Sequence, residues 1–231
     1  MSQFRRQRLL RRFLIHHLPL LALSALGIAS LYYTRPYRDV LSRASFATAY
    51  PALVLLAATL LIGPYNVLQK RRNAISSDLR RDIGVWAGIL SIAHSLIGQN
   101  VHLRGRPWLY YLYEHRERHT IPLRHDLFGF SNYTGLWCLI VLIVLLATSN
   151  DYSLRRMGTP RWKQLQRWNY LAFAFAAAHA VGYLITEKQR MPYVVVVAIC
   201  ILLTLSLQTA GFLMRKAALA NVSQLRRTQP Q

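Results

Sequence analysis

Six long apolar segments constrain the fold of this chain more than any other feature of its sequence. They lie at roughly 13–33, 46–66, 83–103, 128–148, 168–185 and 191–214. A helix of about 20 consecutive apolar residues crosses the roughly 30 Å hydrocarbon layer of a bilayer. The sequence therefore predicts an all-α polytopic membrane protein, built as a six-helix transmembrane bundle without a soluble domain.

The basic residues predict how these helices are oriented. The chain has 29 Lys and Arg against 8 Asp and Glu, which gives a net charge of +21. The N-terminus, the loops at 67–82 and 149–167 and the C-terminal tail hold 19 of the 29 basic residues. The positive-inside rule then places both termini in the cytoplasm, with anionic lipid rather than nucleic acid as the partner of this charge. We expect a cytoplasmic N-terminus at 1–12, a six-span domain at 13–214 and a cytoplasmic tail at 215–231.

Two of the apolar segments each contain a histidine at a similar depth. His94 lies 13 residues after Arg81, and His179 lies 12 residues after Arg167. At 1.5 Å per residue, both lie roughly 20 Å from the inner boundary, in the outer half of the bilayer. Ionisable side chains are costly in hydrocarbon, so this pair indicates a functional site.

The chemistry of imidazole leaves several interpretations of this pair open. Two neutral imidazoles at one depth can bind the iron of a heme from its two sides, with the apolar helices covering the macrocycle. The residues are equally compatible with two unrelated histidines that hydrogen-bond to neighbouring groups. A proton relay or another metal site is a third interpretation.

Three stretches of the chain carry a resemblance to a known family. They are LIGP at 61–64, LRRDIGVWAGILSIAH at 79–94 and TSNDYSLRRMGTPRWKQLQRWNYLAFAFAAAH at 148–179. Together they resemble the ferric-reductase-like transmembrane domain family, which includes the heme-binding membrane subunit of the bacterial periplasmic methionine sulfoxide reductase system. The resemblance extends over about 60–214.

The resemblance implies a specific set of site residues. His94 and His179 match the axial ligands of an outer b-type heme, and Arg81 and Arg167 are predicted to contribute to cofactor binding. The Leu-His-Arg triplet of the family reads Leu-Gln-Arg here, because position 166 is Gln, and its counterpart on the third span is Arg81. The inner heme is therefore predicted to be absent, and one heme b is expected.

Further histidines lie towards the predicted outer face. We expect His102 on the same helix as His94, about 12 Å further along. It would lie at the water interface, contact a heme propionate, or bind iron in a different register. His115, His119 and His125 lie in the loop at about 104–127. They predict either a solvated loop or an outer site for a metal or a substrate.

These features predict two classes of function. The first is a b-type heme protein of the bacterial inner membrane that relays electrons from quinol or a flavoprotein to an outer acceptor. No Gly-rich dinucleotide motif follows a strand, so the chain is expected to be an electron-transfer subunit that uses FAD or FMN only through a partner. Quinone is a further cofactor candidate. The alternative is a heme-free membrane transporter or assembly factor.

Overall fold

The secondary structure of the chain is almost entirely helical. The computed structural model describes residues 3–34, 39–69 and 76–228. Within these ranges the α-helices are α1 (Gln3–Arg12), α2 (Leu18–Thr34), α3 (Val40–Leu68), α4 (Ser76–Gly98), α5 (Leu127–Thr148), α6 (Asp151–Gln166), α7 (Asn169–Thr186) and α8 (Met191–Thr228). The predicted all-α class is confirmed. Parts of the predicted termini and of the basic loop at 67–82 fall on residues 1–2, 70–75 and 229–231, outside the described residues.

Five helical segments within the described residues are long and apolar enough to cross a membrane. They are Gln7–Thr34, Val40–Leu68, Leu127–Thr148, Asp151–Thr186 and Met191–Ala220. The first combines α1 and α2, which a π-helical segment at Phe13–His17 joins without a break. These segments match five of the six predicted spans and indicate a multi-pass integral membrane protein.

The remaining predicted span corresponds to α4, and its bounds differ from the prediction. The expected span was 83–103, whereas α4 runs from Ser76 to Gly98. The first two turns of α4 contain Asp78, Arg80, Arg81 and Asp82. These charges make α4 less hydrophobic than the five segments above, and its crossing of the membrane stays a prediction.

Two segments that the sequence assigned to loop and tail are helical. The predicted loop at 149–167 contains α6, whose first turn is capped by the side chain of Asn150, which accepts the Ser153 N–H at 2.8 Å. The predicted tail begins at 215, but α8 continues without interruption to Thr228. Polar composition is typical of loops, yet a polar sequence with an N-terminal cap also forms a helix.

The helices pack around α3, which is central to the bundle. α3 contacts α2, α4, α7 and α8, while α5 packs mainly against α7 and also against α4. The core between them includes Leu56, Leu60, Val141, Phe173 and Val197, all of them buried. This arrangement places the C-terminal half of α4 next to α3 and the C-terminal half of α7 next to α5, with the space between the two pairs available for a site.

Candidate functional site

The imidazoles of His94 and His179 face each other across the space between α4 and α7. Their ring centroids are 6.1 Å apart, and the ring planes are inclined by 75°. Two imidazoles that bind one metal ion from opposite sides have ring centres about 6 Å apart, because each metal–nitrogen bond is about 2 Å long. The observed separation therefore fits a metal ion held between the two rings.

Each of these histidines is oriented by a backbone carbonyl. His94 Nδ1 lies 3.0 Å from the carbonyl oxygen of Ser45 on α3, and His179 Nδ1 lies 2.7 Å from that of Ser131 on α5. A carbonyl oxygen only accepts hydrogen bonds, so Nδ1 of each ring carries the proton. Nε2 of each neutral ring then keeps its lone pair, as a metal ligand requires.

Close packing of α5 against α7 brings His179 to this position. A Cβ atom at Gly135 would lie 2.5 Å from His179 Nδ1 and 2.8 Å from its Cε1. One turn later on α7, a Cβ atom at Gly182 would collide with the Ser131 side chain. The absence of a side chain at these two glycines lets the imidazole reach the Ser131 carbonyl.

A cavity of about 240 Å³ contains both rings. Its walls are mainly apolar side chains of α3, α5, α7 and α8, such as Leu53, Leu139 and Val197. The Tyr183 ring contacts the His179 ring at 4.9 Å, and the Tyr183 hydroxyl donates to Asn132 Oδ1 at 2.8 Å. Two oriented imidazoles within apolar walls fit the requirements of a heme, which needs axial ligands and a hydrophobic covering.

The two arginines predicted to assist cofactor binding lie elsewhere. Arg81 forms an ion pair with Asp151 at the start of α6, with Nη1 and Oδ1 2.7 Å apart. Arg167 is the exposed residue that follows α6. Neither side chain lines the cavity, so the structure gives no contact between these arginines and the histidine pair.

His102 is not on the helix that carries His94. Helix α4 ends at Gly98, and His102 lies in the loop that follows, just before a short 3₁₀ turn at Leu103–Gly105. Its backbone N–H donates to the Tyr110 hydroxyl at 2.9 Å, and its Nε2 lies 3.5 Å from Glu187 Oε1. Its ring contacts Tyr110 and Phe128, whereas the only imidazole that contacts His94 within the described residues is that of His179.

Two of the other histidines in the loop between α4 and α5 form an aromatic cluster with Tyr113. The His119 ring stacks on Tyr113 at 3.7 Å, and the His125 ring meets the same tyrosine at 5.3 Å. His115 instead pairs with Glu117, with Nδ1 and Oε1 3.4 Å apart. Within the described residues no three His, Cys, Asp or Glu side chains converge as a metal site, so the geometry does not support the predicted outer metal site.

A second cluster of ionisable residues was not foreseen from the sequence. Asp82 is fully buried, and the Arg12 guanidinium binds both of its carboxylate oxygens. His16 Nδ1 lies 2.7 Å from Asp82 Oδ2, His17 Nε2 lies 3.5 Å from Oδ1, and Trp86 Nε1 donates to His17 Nδ1 at 3.2 Å. The sequence placed Asp82 in a loop because the apolar run starts at the next residue. We call these five residues the Asp82 cluster.

Comparison with known proteins gives partial similarity to a heme-binding membrane subunit. No model of a known protein family matches the chain. A segment of 68 residues is 37% identical to the protein-methionine-sulfoxide reductase heme-binding subunit MsrQ of Rhizobium meliloti (strain 1021). The chain resembles that family in part. The aligned segment covers 29% of this chain and 31% of the relative, so the match spans less than a third of the relative's length.

Proposed function

We propose that the chain is an integral membrane electron-transfer protein that binds one b-type heme between His94 and His179. The observation that supports this most directly is the paired hydrogen bonding of the two rings, in which each Nδ1 is bound to a helix carbonyl and each Nε2 is left as a ligand. The name of the partial relative, a heme-binding subunit, points to the same cofactor. When bound, a heme would supply one-electron transfer at its iron.

The protein residues would hold this heme and control its surroundings. Ser45 and Ser131 fix the orientation of the two rings, and hydrogen bonds of this kind raise the basicity of a ligating imidazole. The apolar side chains of α3, α5 and α8 exclude water from the cavity, which influences the reduction potential. The protein's contribution is therefore ligation, orientation and a low local dielectric.

The number of hemes that we propose depends on positions 81 and 166. Gln166 and Arg81 occupy the positions where the family has the ligands of an inner heme, and neither Gln nor Arg is a usual heme ligand. Arg81 is paired with Asp151, which gives it a structural role in the arrangement of α4 and α6. We therefore propose one heme per chain.

The proposed setting is the inner membrane of a bacterium. Six spans, with α4 as the third, put both termini in the cytoplasm and the loop between α4 and α5 outside. Electrons would come from quinol or from a cytoplasmic flavoprotein and would leave to an acceptor on the outer side. FAD or FMN would take part only through that partner.

A difference spectrum of the purified protein tests the proposal. We expect dithionite-reduced minus oxidised spectra to show Soret and α bands, and a pyridine hemochrome assay to give close to one heme per chain. Absence of the bands from protein produced with ample heme would overturn the proposal and favour a heme-free transporter or assembly factor. A ratio near two would contradict the single-heme assignment.

Variants of the two histidines test the site itself. His94→Ala and His179→Ala should each abolish the bands, because each removes one axial ligand of the iron. His119→Ala is the matched control, since His119 lies in the outer loop against Tyr113. Bands that survive both His94→Ala and His179→Ala would show that the heme is bound elsewhere.

A further inference from the structure

The cavity around His94 and His179 has a polar end. Most of its walls are apolar, but Gln99, His102, Tyr110, Glu187 and Gln189 line it as well. Gln99, His102 and Tyr110 lie in the loop between α4 and α5, and Glu187 and Gln189 lie between α7 and α8. They therefore mark the side of the cavity at which that loop lies.

This polar end contains one group that can bind an anion by charge. Among the described residues that line the cavity there is no Lys or Arg, and the only side chains that can become cationic are His94, His102 and His179. His94 and His179 must stay neutral if they ligate a metal ion. Among the described residues that line the cavity, His102 is then the one side chain that can offer a positive charge to a ligand.

The loop holds His102 in a defined position. Its N–H donates to the Tyr110 hydroxyl, which in turn donates to the Gly98 carbonyl at 2.8 Å. Tyr110 is only 2% exposed, and burial raises the pKa of its phenol, so the hydroxyl remains protonated as a donor. His102 is therefore attached to the last turn of α4 through a buried tyrosine.

Glu187 lies next to His102 at this polar end. Its carboxylate oxygen Oε1 lies 3.5 Å from His102 Nε2. The side chains of His102 and Glu187 are 41% and 31% exposed, so water solvates both of them. An imidazolium has two N–H donors, so one can serve Glu187 and the other a carboxylate that enters from the cavity.

We propose that His102 binds a propionate carboxylate of the heme, whose iron is held by His94 and His179. This inference rests on the proposed function and adds the orientation of the ligand to it. A heme has an apolar macrocycle and two carboxylates on one edge. Burial of those carboxylates against the apolar walls would be costly, whereas the polar end is open to water and has a side chain that can carry a positive charge. The propionate edge therefore lies towards the loop between α4 and α5.

This orientation can be tested by comparing the affinity of the protein for heme with its affinity for heme dimethyl ester, which lacks the two carboxylate charges. Apoprotein made in heme-deficient cells would be titrated with each compound in detergent. We expect the wild-type protein to prefer the diacid about tenfold, which is the effect of one charge-assisted hydrogen bond. His102→Gln should reduce this preference to about twofold or less, because Gln cannot carry a charge, and His102→Lys should restore it because Lys carries a positive charge. His119→Gln is the matched control and should leave it unchanged.

The outcomes separate this inference from the proposed function. If neither compound binds to the wild-type protein, the heme assignment itself is wrong, and the propionate contact is wrong with it. If both bind equally well, or if His102→Gln keeps the full preference for the diacid, the heme assignment stands and the role of His102 is overturned.

Discussion

The two carbonyl groups that orient the histidines act at the scale of single atoms. Ser45 and Ser131 accept through main-chain oxygens, so their side chains are irrelevant to the contact. Each carbonyl of a helix has a second lone pair beyond the one used by the helix itself. At Ser45 and Ser131 the imidazole shares the oxygen with the hydroxyl of Thr48 or Thr134, which donates to it at 3.0 or 2.9 Å. No side-chain motif marks such an acceptor, and removal of the serine hydroxyl would not remove it.

A substitution at Gly135 tests the contact between His179 and the Ser131 carbonyl. We expect Gly135→Ala to reduce the heme content by about tenfold, because the new methyl group would displace the His179 ring from the Ser131 carbonyl. Heme per chain, measured by pyridine hemochrome on purified protein, checks this.

The control for Gly135→Ala is Gly88→Ala on α4. A Cβ atom at Gly88 would meet Leu146 at 3.6 Å, an ordinary van der Waals contact. Gly88→Ala should keep its heme. It shows what a Gly-to-Ala substitution in a helix does when no histidine ring is displaced. Equal heme contents in the two variants would mean that the approach of His179 to α5 does not control the site.

At the scale of helices, the Asp82 cluster connects the first helix to α4. Arg12, His16 and His17 lie on or next to the π-helical segment Phe13–His17, and all three contact the same carboxylate. In a regular α-helix, consecutive residues point about 100° apart. The wider π turn changes this angle, and such insertions often accompany functional or special contacts in helices.

Asp82→Asn should destabilise the protein. Removal of the Asp82 charge leaves Arg12 without its anionic partner in a partly buried site, where the Arg12 side chain is 20% exposed. The loss should therefore lie between those of an exposed and a fully buried pair, at about 1–3 kcal/mol. Asp78→Asn, one turn earlier on α4, is the matched control. Asp78 and Arg8 form a pair whose side chains are 41% and 79% exposed, and loss of an exposed pair costs less than about 1 kcal/mol.

Thermal unfolding of the two variants in the same detergent checks this difference. The midpoint should fall clearly for Asp82→Asn and hardly for Asp78→Asn. Similar midpoints for both variants would show that the Asp82 cluster does not contribute to stability through its buried charge. Replacement of both Arg12 and Asp82 by apolar residues should recover much of the loss, because no buried charge then remains.

At the scale of the whole molecule, the number of spans depends on α4. Five segments of the described chain meet the length and hydropathy of a membrane span, and α4 carries four charged residues in its first two turns. Its remaining residues pack against α3 and α5, two of those spans. A helix enclosed by other helices needs less hydrophobicity than one that faces lipid.

Cysteine labelling decides whether α4 crosses the membrane. Gln69→Cys follows α3 and Thr120→Cys lies in the loop between α4 and α5, and both positions are exposed. With α4 as a span, an impermeant maleimide should label Thr120→Cys in intact cells and Gln69→Cys only after permeabilisation. The native Cys138 and Cys200 are buried and should give little background. Labelling of both positions from the same side would contradict the six-span topology.

Much of the architecture was predictable because it depends on local composition. Apolar runs predict helices of membrane-spanning length, and five of the six expected spans lie within longer or similar helical segments of that kind. Helix ends were less predictable. Polar residues from Ser76 to Asp82 and from Asp151 to Gln166 continue or form helices, although the same composition is typical of loops.

The site was predictable only in part. The placement of His94 and His179 at similar depth follows from counting residues along two helices. His102 was wrongly assigned to the end of α4, because the helix ends at Gly98 and the chain turns away there. The role of Asp82 depends on where the first helix packs, and residues about 70 positions apart in the sequence meet at that carboxylate.

The sequence by itself determined that this protein is helical and has several segments long and apolar enough to cross a membrane, and it predicted two histidines at one depth. Length, hydropathy and charge are properties of the sequence itself, so they are known before the chain folds. Tertiary structure alone decided that the two rings face each other at 6.1 Å and that two main-chain carbonyls leave their Nε2 atoms free. It also decided that, among the described residues, His102 is the one group at the polar end of the cavity that can carry a positive charge. These facts depend on the packing of α3 with α4 and of α5 with α7, and packing between distant segments leaves no local pattern in the sequence.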